Sequence, residues 1–158
     1  MIRKATLLDL KELASLWTAL TGEERAKELA AARDTYPRVT LNDTDAWAAD
    51  AAAHILHPDV CFLVSETSGH LDGYMVSSVH IRPVGQPDRV LFVSALYVNE
   101  EARKHNGGTL AAELIAATTE WARARKLTVA ECDCVPANRA LWETRGFTLA
   151  AHRLWKEI

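Results

Sequence analysis

The chain has 158 residues, of which 49% are hydrophobic and 25% charged, and a formal net charge of -3. This composition is typical of one globular domain over residues 1–158, and the charge argues against non-specific nucleic-acid binding, which needs dense Lys and Arg. No apolar run approaches the ~20 residues of a membrane span, and no secretory signal opens the chain, so we expect a cytoplasmic protein without a membrane partner.

The first half of the chain is rich in helix signals. Asp9 and Glu12 resemble a helix-start capping pair, and Thr21 and Glu24 repeat that pattern. The elements we expect are a strand over residues 1–6, a helix from residue 9, a second helix over residues 21–33, a loop over residues 34–44 and a helix over residues 45–56.

Strand signals dominate the second half. Ser68-Gly69 between two apolar runs indicates a hairpin, and Pro136 suits the first turn of a short helix. In order, we expect strands over residues 60–66 and 71–81, a loop over 82–88, a strand over 90–98, a helix over 107–126, a strand over 129–135, a helix from 136 to about 146 and a strand over 147–155.

A phosphate site is predicted where the Val90–Val98 strand leads into Arg103-Lys-His-Asn-Gly-Gly-Thr109 and then a helix. The first N–H groups of a helix lack partners within it, and the positive end of the helix dipole attracts anions. Glycines let the backbone approach a bulky anion, and Arg103 and Lys104 add positive charge. We therefore expect a phosphate-bearing ligand at this turn.

Two motifs in this region resemble those of the GCN5-related N-acetyltransferase (GNAT) family. Leu96-Tyr97-Val98 followed by Arg103 to Thr109 resembles the family's strand end and its Arg/Gln-x-x-Gly-x-Gly/Ala loop. Leu141-Trp-Glu-Thr-Arg-Gly-Phe147 resembles its Leu-Tyr-x-x-x-Gly-Phe helix. The resemblance implies an α/β fold with a mixed, mostly antiparallel sheet flanked by helices on both faces.

The same resemblance implies transfer of an acetyl group from acetyl-CoA to a primary amine of a small molecule or peptide, by direct attack. In the family, the loop holds the coenzyme A pyrophosphate and the bulged strand before it aligns the pantetheine arm. The residues that this implies for cofactor binding are Leu96, Tyr97, Val98, Arg103, Lys104, His105, Asn106, Gly107, Gly108, Thr109, Asn138 and Trp142. No metal is implied, and a homodimer is allowed.

The chain departs from the family pattern at three positions. Asn106 replaces the first loop glycine, Trp142 replaces the Tyr that protonates the leaving thiolate, and Ser94 replaces the Glu that serves as base. An indole cannot act as an acid at neutral pH, so Trp142 packs against either the cofactor or the core. These losses keep open an alternative, a non-catalytic acyl-CoA-binding sensor or regulatory module.

An amine must be neutral to attack, so a general base is needed. The candidates for this role are His80, Glu131 and Asp133, acting directly or through water.

The acceptor is open, with polyamines, aminoglycoside-like drugs, amino acids and protein N-termini all compatible. Trp17 and Trp47 are expected in the core, with lining of the acceptor cleft as the alternative. The acidic run Glu23, Glu24, Glu28 and Asp34 is either a solvated helix face or an attractor for a cationic amine. Cys61, Cys132 and Cys134 are too few for a closed four-ligand zinc site, so we expect reduced core cysteines.

Overall fold

A five-stranded sheet forms the centre of the molecule. The structure is a computed structural model that describes residues 1–30, 44–82, 88–106, 108–132 and 139–148. The strands are β1 Ile2–Lys4, β2 Val60–Thr67, β3 His70–Ile81, β4 Arg89–Val98 and β5 Ala130–Cys132, in the spatial order β1-β2-β3-β4-β5. The pairs from β1 to β4 are antiparallel and β4 pairs with β5 in parallel, so the predicted mixed, mostly antiparallel sheet is confirmed.

Helices cover both faces of this sheet, as predicted. They are a 3₁₀ helix Leu7–Asp9, α1 Leu10–Ala30, α2 Thr44–Leu56, α3 Glu100–Asn106, α4 Thr109–Ala124 and α5 Arg139–Glu143. On what we call the α1–α2 face, Leu13 and Ala51 pack against sheet residues such as Val64 and Tyr74. On the α4 face, Leu114 packs in one cluster with sheet residues such as Met75.

The hairpin between β2 and β3 is the prediction that the backbone confirms most directly. Ser68 and Gly69 both have positive φ, 54° and 84°, which is the geometry of a two-residue hairpin turn. The predicted helix over residues 45–56 and the strand over residues 90–98 are also present, with ends shifted by one residue.

The prediction of two helices between residues 9 and 33 is wrong, because α1 is continuous from Leu10 to Ala30. The Thr21 hydroxyl donates to the Trp17 and Thr18 carbonyls within the helix instead of capping a new one. The predicted capping pair of Asp9 and Glu12 also differs from the structure. Asp9 forms a capping box with Thr6 at the start of the 3₁₀ helix, where Asp9 Oδ2 accepts the Thr6 N–H.

The segment before α4 was expected to be a turn from residue 103 to residue 109, and its first part is instead the end of helix α3. Asn99 caps this helix, since its side-chain oxygen accepts the Ala102 N–H at 2.7 Å. The predicted long helix therefore begins at Thr109, and Gly107 lies outside the described residues.

Several C-terminal predictions fall partly outside the described residues. The described part of the predicted 129–135 strand is β5, and the short helix before Gly146 is described from Arg139. Of the predicted strand over residues 147–155, only residues 147 and 148 are described, and neither is in a strand. Among the described residues, no helix combines the length and apolarity that a membrane span requires.

Candidate active site

A β-bulge interrupts β4 at Ser94. Val76 pairs with Ala95 and Ser77 pairs with Val93, so Ser94 is an extra residue without a partner position on β3. Ser94 is exposed, and its hydroxyl donates to the Val76 carbonyl oxygen at 3.2 Å. A bulge disrupts the local ladder and is frequent beside active sites, which makes this point of the sheet the centre of the candidate site.

The β4–β5 pairing lies directly before this bulge. The described ladder consists of three pairs, of which Val93 with Cys132 is nearest to Ser94. After the bulge, Leu96, Tyr97 and Val98 pair with β3 along one edge of β4. Since alternate residues of a strand direct their N–H groups to opposite edges, this stretch presents backbone donors toward the other edge.

A glycine in the left-handed conformation directly precedes α4. Gly108 has φ 83° and ψ 2°, and no side chain caps the helix that begins at Thr109. A Cβ built on Gly108 meets no described atom within 4 Å, so a side chain at this position has room. Helix N–H groups without a side-chain cap form an anion-binding arrangement.

Basic side chains lie beside that helix end, in the last turn of α3. Arg103, Lys104 and His105 are all exposed. Lys104 Nζ lies 2.7 Å from Glu100 Oε1, and this hydrogen bond raises the Lys104 pKa. Lys104 therefore stays protonated at neutral pH, the state that suits a phosphate.

Arg103 is bound by a carboxylate of helix α1. Its Nη2 lies 2.6 Å from Glu23 Oε1 on α1, and this hydrogen bond raises the Arg103 pKa. The same carboxylate oxygen accepts the Tyr97 hydroxyl at 3.0 Å. Burial, with the Glu23 hydrogen bond as the second cause, raises the pKa of Tyr97 to about 12, so Tyr97 is a neutral donor in this cluster.

Two of the three base candidates lie on the α1–α2 face of the sheet. His80 is exposed and its ring stacks on Phe92 with a centroid separation of 4.6 Å. Glu131 is paired with Phe92 across the ladder, and its carboxylate contacts the Arg82 guanidinium. Phe92 precedes the bulge by two residues, about 7 Å along a strand.

The other predicted site residues lie either in the core or outside the described residues. Trp142 is only 7% exposed and packs in the core of the α4 face, where its ring lies edge-on to Phe147 at a centroid separation of 5.1 Å. Of the two predicted contacts of Trp142, with the core or with the cofactor, the structure contains the one with the core. Asp133, Asn138 and Gly107 lie outside the described residues.

The Glu23 contacts are a feature that sequence reasoning missed. The sequence places Glu23 in an acidic run that is either solvated or attracts an amine. In the structure, its carboxylate accepts hydrogen bonds from Arg103 and Tyr97. These partners are 80 and 74 residues away in sequence, so no local spacing indicates them.

An aromatic stack joins α1 and α2. The rings of Trp17 and Trp47 lie 5.3 Å apart with 20° between their planes, and both side chains are half-buried. Trp47 also packs against the α1–α2 face core, so the stack is part core and part surface. Among the described residues, no three His, Cys, Asp or Glu side chains are grouped as metal ligands.

Solved structures share this fold over nearly the whole chain. A predicted acetyltransferase with acetyl-CoA from Clostridium acetobutylicum has a TM-score of 0.79 and 13% identity, covering 99% of this chain and 95% of that chain. The BH1408 protein from Bacillus halodurans, as a tetramutant, has a TM-score of 0.76 and 21% identity, covering 100% and 99%. The aminoglycoside 6'-N-acetyltransferase AAC(6')-Ih from Acinetobacter baumannii has a TM-score of 0.72 and 16% identity, covering 100% and 97%.

At these low sequence identities, the solved structures show only that the fold is shared. The family is established by a comparison of the sequence with family models. No curated protein matches the chain. The model of the acetyltransferase (GNAT) family matches residues 17–147, which is most of the sequence. The chain therefore belongs to the acetyltransferase (GNAT) family.

Proposed function

We propose that this protein transfers an acetyl group from acetyl-CoA to a primary amine of a small molecule or peptide. The observation that carries the proposal is the Ser94 bulge in β4, with the uncapped N-terminus of α4 following along the chain. Membership of the acetyltransferase family supports acetyl transfer in general.

In this proposal the cosubstrate binds mainly to the backbone of the site. N–H groups from Gly108 to Leu110 bind the pyrophosphate, with Lys104 and His105 beside them and Asn106 at the end of α3. The main chain of Leu96, Tyr97 and Val98 binds the pantetheine arm as an added strand would. The positive φ of Gly108 and the absence of a side-chain cap on α4 support this assignment.

Acetyl-CoA supplies the thioester from which a neutral amine displaces the thiolate of CoA by direct attack within a ternary complex. The C–N bond forms as the C–S bond breaks, and a base accepts the proton of the amine. A main-chain N–H of β4 near the bulge stabilises the oxyanion in this proposal. The thiolate leaves without an acid, because a thiol has a pKa of about 8.5 and is a good leaving group.

His80 is the base that we propose among the described candidates. Imidazole is the most frequent general base in enzymes, and the His80 ring is exposed on the α1–α2 face. The Glu131 carboxylate is engaged by the Arg82 guanidinium, so it is less available to the amine. Asp133, which lies outside the described residues, remains a candidate from the sequence.

The acceptor site in this proposal lies on the α1–α2 face, beside the Trp17–Trp47 stack. Half-exposed tryptophan rings attract cationic amines, and the fold neighbour from Acinetobacter baumannii is named for acetylation of an aminoglycoside antibiotic. The whole chain acts as one domain in this proposal, in the cytoplasm and without nucleic acid, and a homodimer is allowed.

Two glycines provide a matched test of the cofactor site. Gly108→Asp places bulk and negative charge at the proposed pyrophosphate site, and calorimetry should show acetyl-CoA binding to the wild type and none to this variant. Gly69→Asp is the control, because Gly69 has the same φ, 84° against 83°, and equally open surroundings in the hairpin turn. Equal acetyl-CoA affinity of the two variants would falsify the assignment.

Thiol release distinguishes the enzyme from the non-catalytic module. Ser94 in place of Glu and Trp142 in place of Tyr favour the module. CoA production with one or more amines from a panel of polyamines, aminoglycosides, amino acids and peptides supports the enzyme. Acetyl-CoA binding without CoA release from any amine supports the module instead.

A further inference from the structure

Three side chains from three elements meet around one carboxylate oxygen. Oε1 of Glu23 on α1 accepts hydrogen bonds from the Tyr97 hydroxyl of β4 and from Arg103 Nη2 of α3, at 3.0 and 2.6 Å. The Arg103 guanidinium also lies 5.8 Å from the centroid of the Tyr97 ring. We call these three residues the Glu23 bridge.

One end of the Glu23 bridge lies in the core, and the other lies in the last turn of helix α3. The Tyr97 side chain is 5% exposed and belongs to the core cluster of the α1–α2 face, so its hydroxyl has a defined position. Arg103 lies in the last turn of α3, five residues before the glycine that precedes α4. A restraint on Arg103 is therefore a restraint on the backbone that leads into the α4 N-terminus.

We propose that Glu23 is a positioning residue, which holds Arg103 so that the backbone donors of the α4 N-terminus are preorganised for the diphosphate of acetyl-CoA. This inference rests on the proposed function. A loop that is already ordered loses less conformational entropy when it binds a ligand, so fixing it raises affinity without a new ligand contact.

The opposite role for Glu23 makes the opposite prediction. If Arg103 acted mainly as a phosphate ligand, the Glu23 carboxylate would compete with the phosphate and repel it. Removal of the Glu23 charge would then tighten acetyl-CoA binding. Preorganisation instead requires that removal weakens it, so the sign of the change decides between the two roles.

The test is Glu23→Gln, which removes the charge with little change in size. We expect the Kd for acetyl-CoA to rise about two- to tenfold, the range for loss of one hydrogen bond between partly exposed partners. CoA should lose affinity by the same factor, because the effect lies at the diphosphate. With an amine that supports turnover, KM for acetyl-CoA should rise while kcat stays within about twofold.

Glu12→Gln is the matched control for a purely structural role of α1. Glu12 lies on the same helix and anchors it elsewhere, since its Oε1 accepts the Leu71 N–H at 2.9 Å. This control should leave the Kd for acetyl-CoA unchanged. Melting temperatures of both variants separate a loss of folding from a loss of affinity.

Tyr97→Phe keeps the inference testable if Glu23→Gln is poorly folded, and a double-mutant cycle tests the route through Arg103. Tyr97→Phe removes only a hydroxyl from the Glu23 bridge and should weaken acetyl-CoA binding in the same direction. Once Arg103 is replaced by Gln, the additional change Glu23→Gln should have no further effect on Kd, because Glu23 acts through Arg103.

The outcomes separate the two proposals. A wild type that binds acetyl-CoA together with Glu23→Gln of equal or tighter affinity overturns the role of Glu23 and leaves the proposed function intact. A wild type that does not bind acetyl-CoA overturns the proposed function and this inference with it.

Discussion

The ion pair between Arg3 and Asp9 anchors the start of α1, and its loss has a calculable cost. Arg3 Nη1 and Nη2 each donate to one Asp9 oxygen at 2.8 Å, and the Thr6 N–H donates to Asp9 Oδ2 at 2.7 Å. Mainly through the Arg3 hydrogen bonds, these contacts lower the Asp9 pKa from 3.8 to about 2. Asp9→Asn keeps the shape of the side chain and removes its charge.

The magnitude follows from the linkage between protonation and folding. A pKa lowered from 3.8 to about 2 corresponds to about 2 kcal/mol of stability for a group that is only 9% exposed. Because the folded-state pKa lies below the unfolded one, this stability is complete above pH 3.8 and is lost as the pH falls through 2. At pH 3 about half of it should remain.

Urea denaturation of the wild type and Asp9→Asn between pH 7 and pH 3 measures this effect. We expect the variant to be less stable by about 2 kcal/mol at pH 7 and by about 1 kcal/mol at pH 3. Asp50→Asn is the control, since Asp50 is 70% exposed and pairs with His54 four residues away on the same helix, and it should change stability little. A difference for Asp9→Asn that does not depend on pH would refute the reasoning.

Two further predictions concern packing and catalysis. Gly73→Ala should destabilise the fold in urea denaturation, because a Cβ there meets the Tyr97 carbonyl oxygen at 2.5 Å, whereas Gly22→Ala, on α1 with no atom within 4 Å, should stabilise it by about 0.5–1 kcal/mol. The same sign of change in both variants would contradict the described β3–β4 contact. In steady-state assays His80→Gln should lower kcat about 10²-fold, whereas Glu131→Gln should retain most activity. The reverse order of the two variants would assign the base to Glu131.

The sheet was predictable from the sequence because its signals are local. Apolar runs in β2, β3 and β4 and the Ser68-Gly69 turn define three neighbouring strands without reference to the rest of the chain. A helix that starts directly after glycines was also predictable, because the glycines and the amphipathic helix that follows them are contiguous in the sequence.

Helix α3 was missed although its signal is present. Asn99 is a good N-cap, Glu100 and Glu101 suit the first turn, and basic residues occupy the last turn. The seven-residue helix is too short for hydrophobic periodicity, and attention to the glycines that follow it led us to predict a turn.

The Glu23 bridge was not predictable, because tertiary contacts between α1, β4 and α3 create it. The same holds for the Arg82 contact of Glu131, which changes the ranking of the base candidates. Both contacts join residues far apart in sequence, and periodicity or capping patterns do not encode such pairs.

A crystal structure with bound acetyl-CoA tests the central claim most directly. We predict the pyrophosphate within hydrogen-bond distance of N–H groups in Gly108 to Leu110 and the pantetheine arm alongside Leu96 to Val98, with the thioester near Ser94. Density for the diphosphate at any other place on the protein, or a side chain of residue 106 filling the space at the α4 N-terminus, would contradict the account.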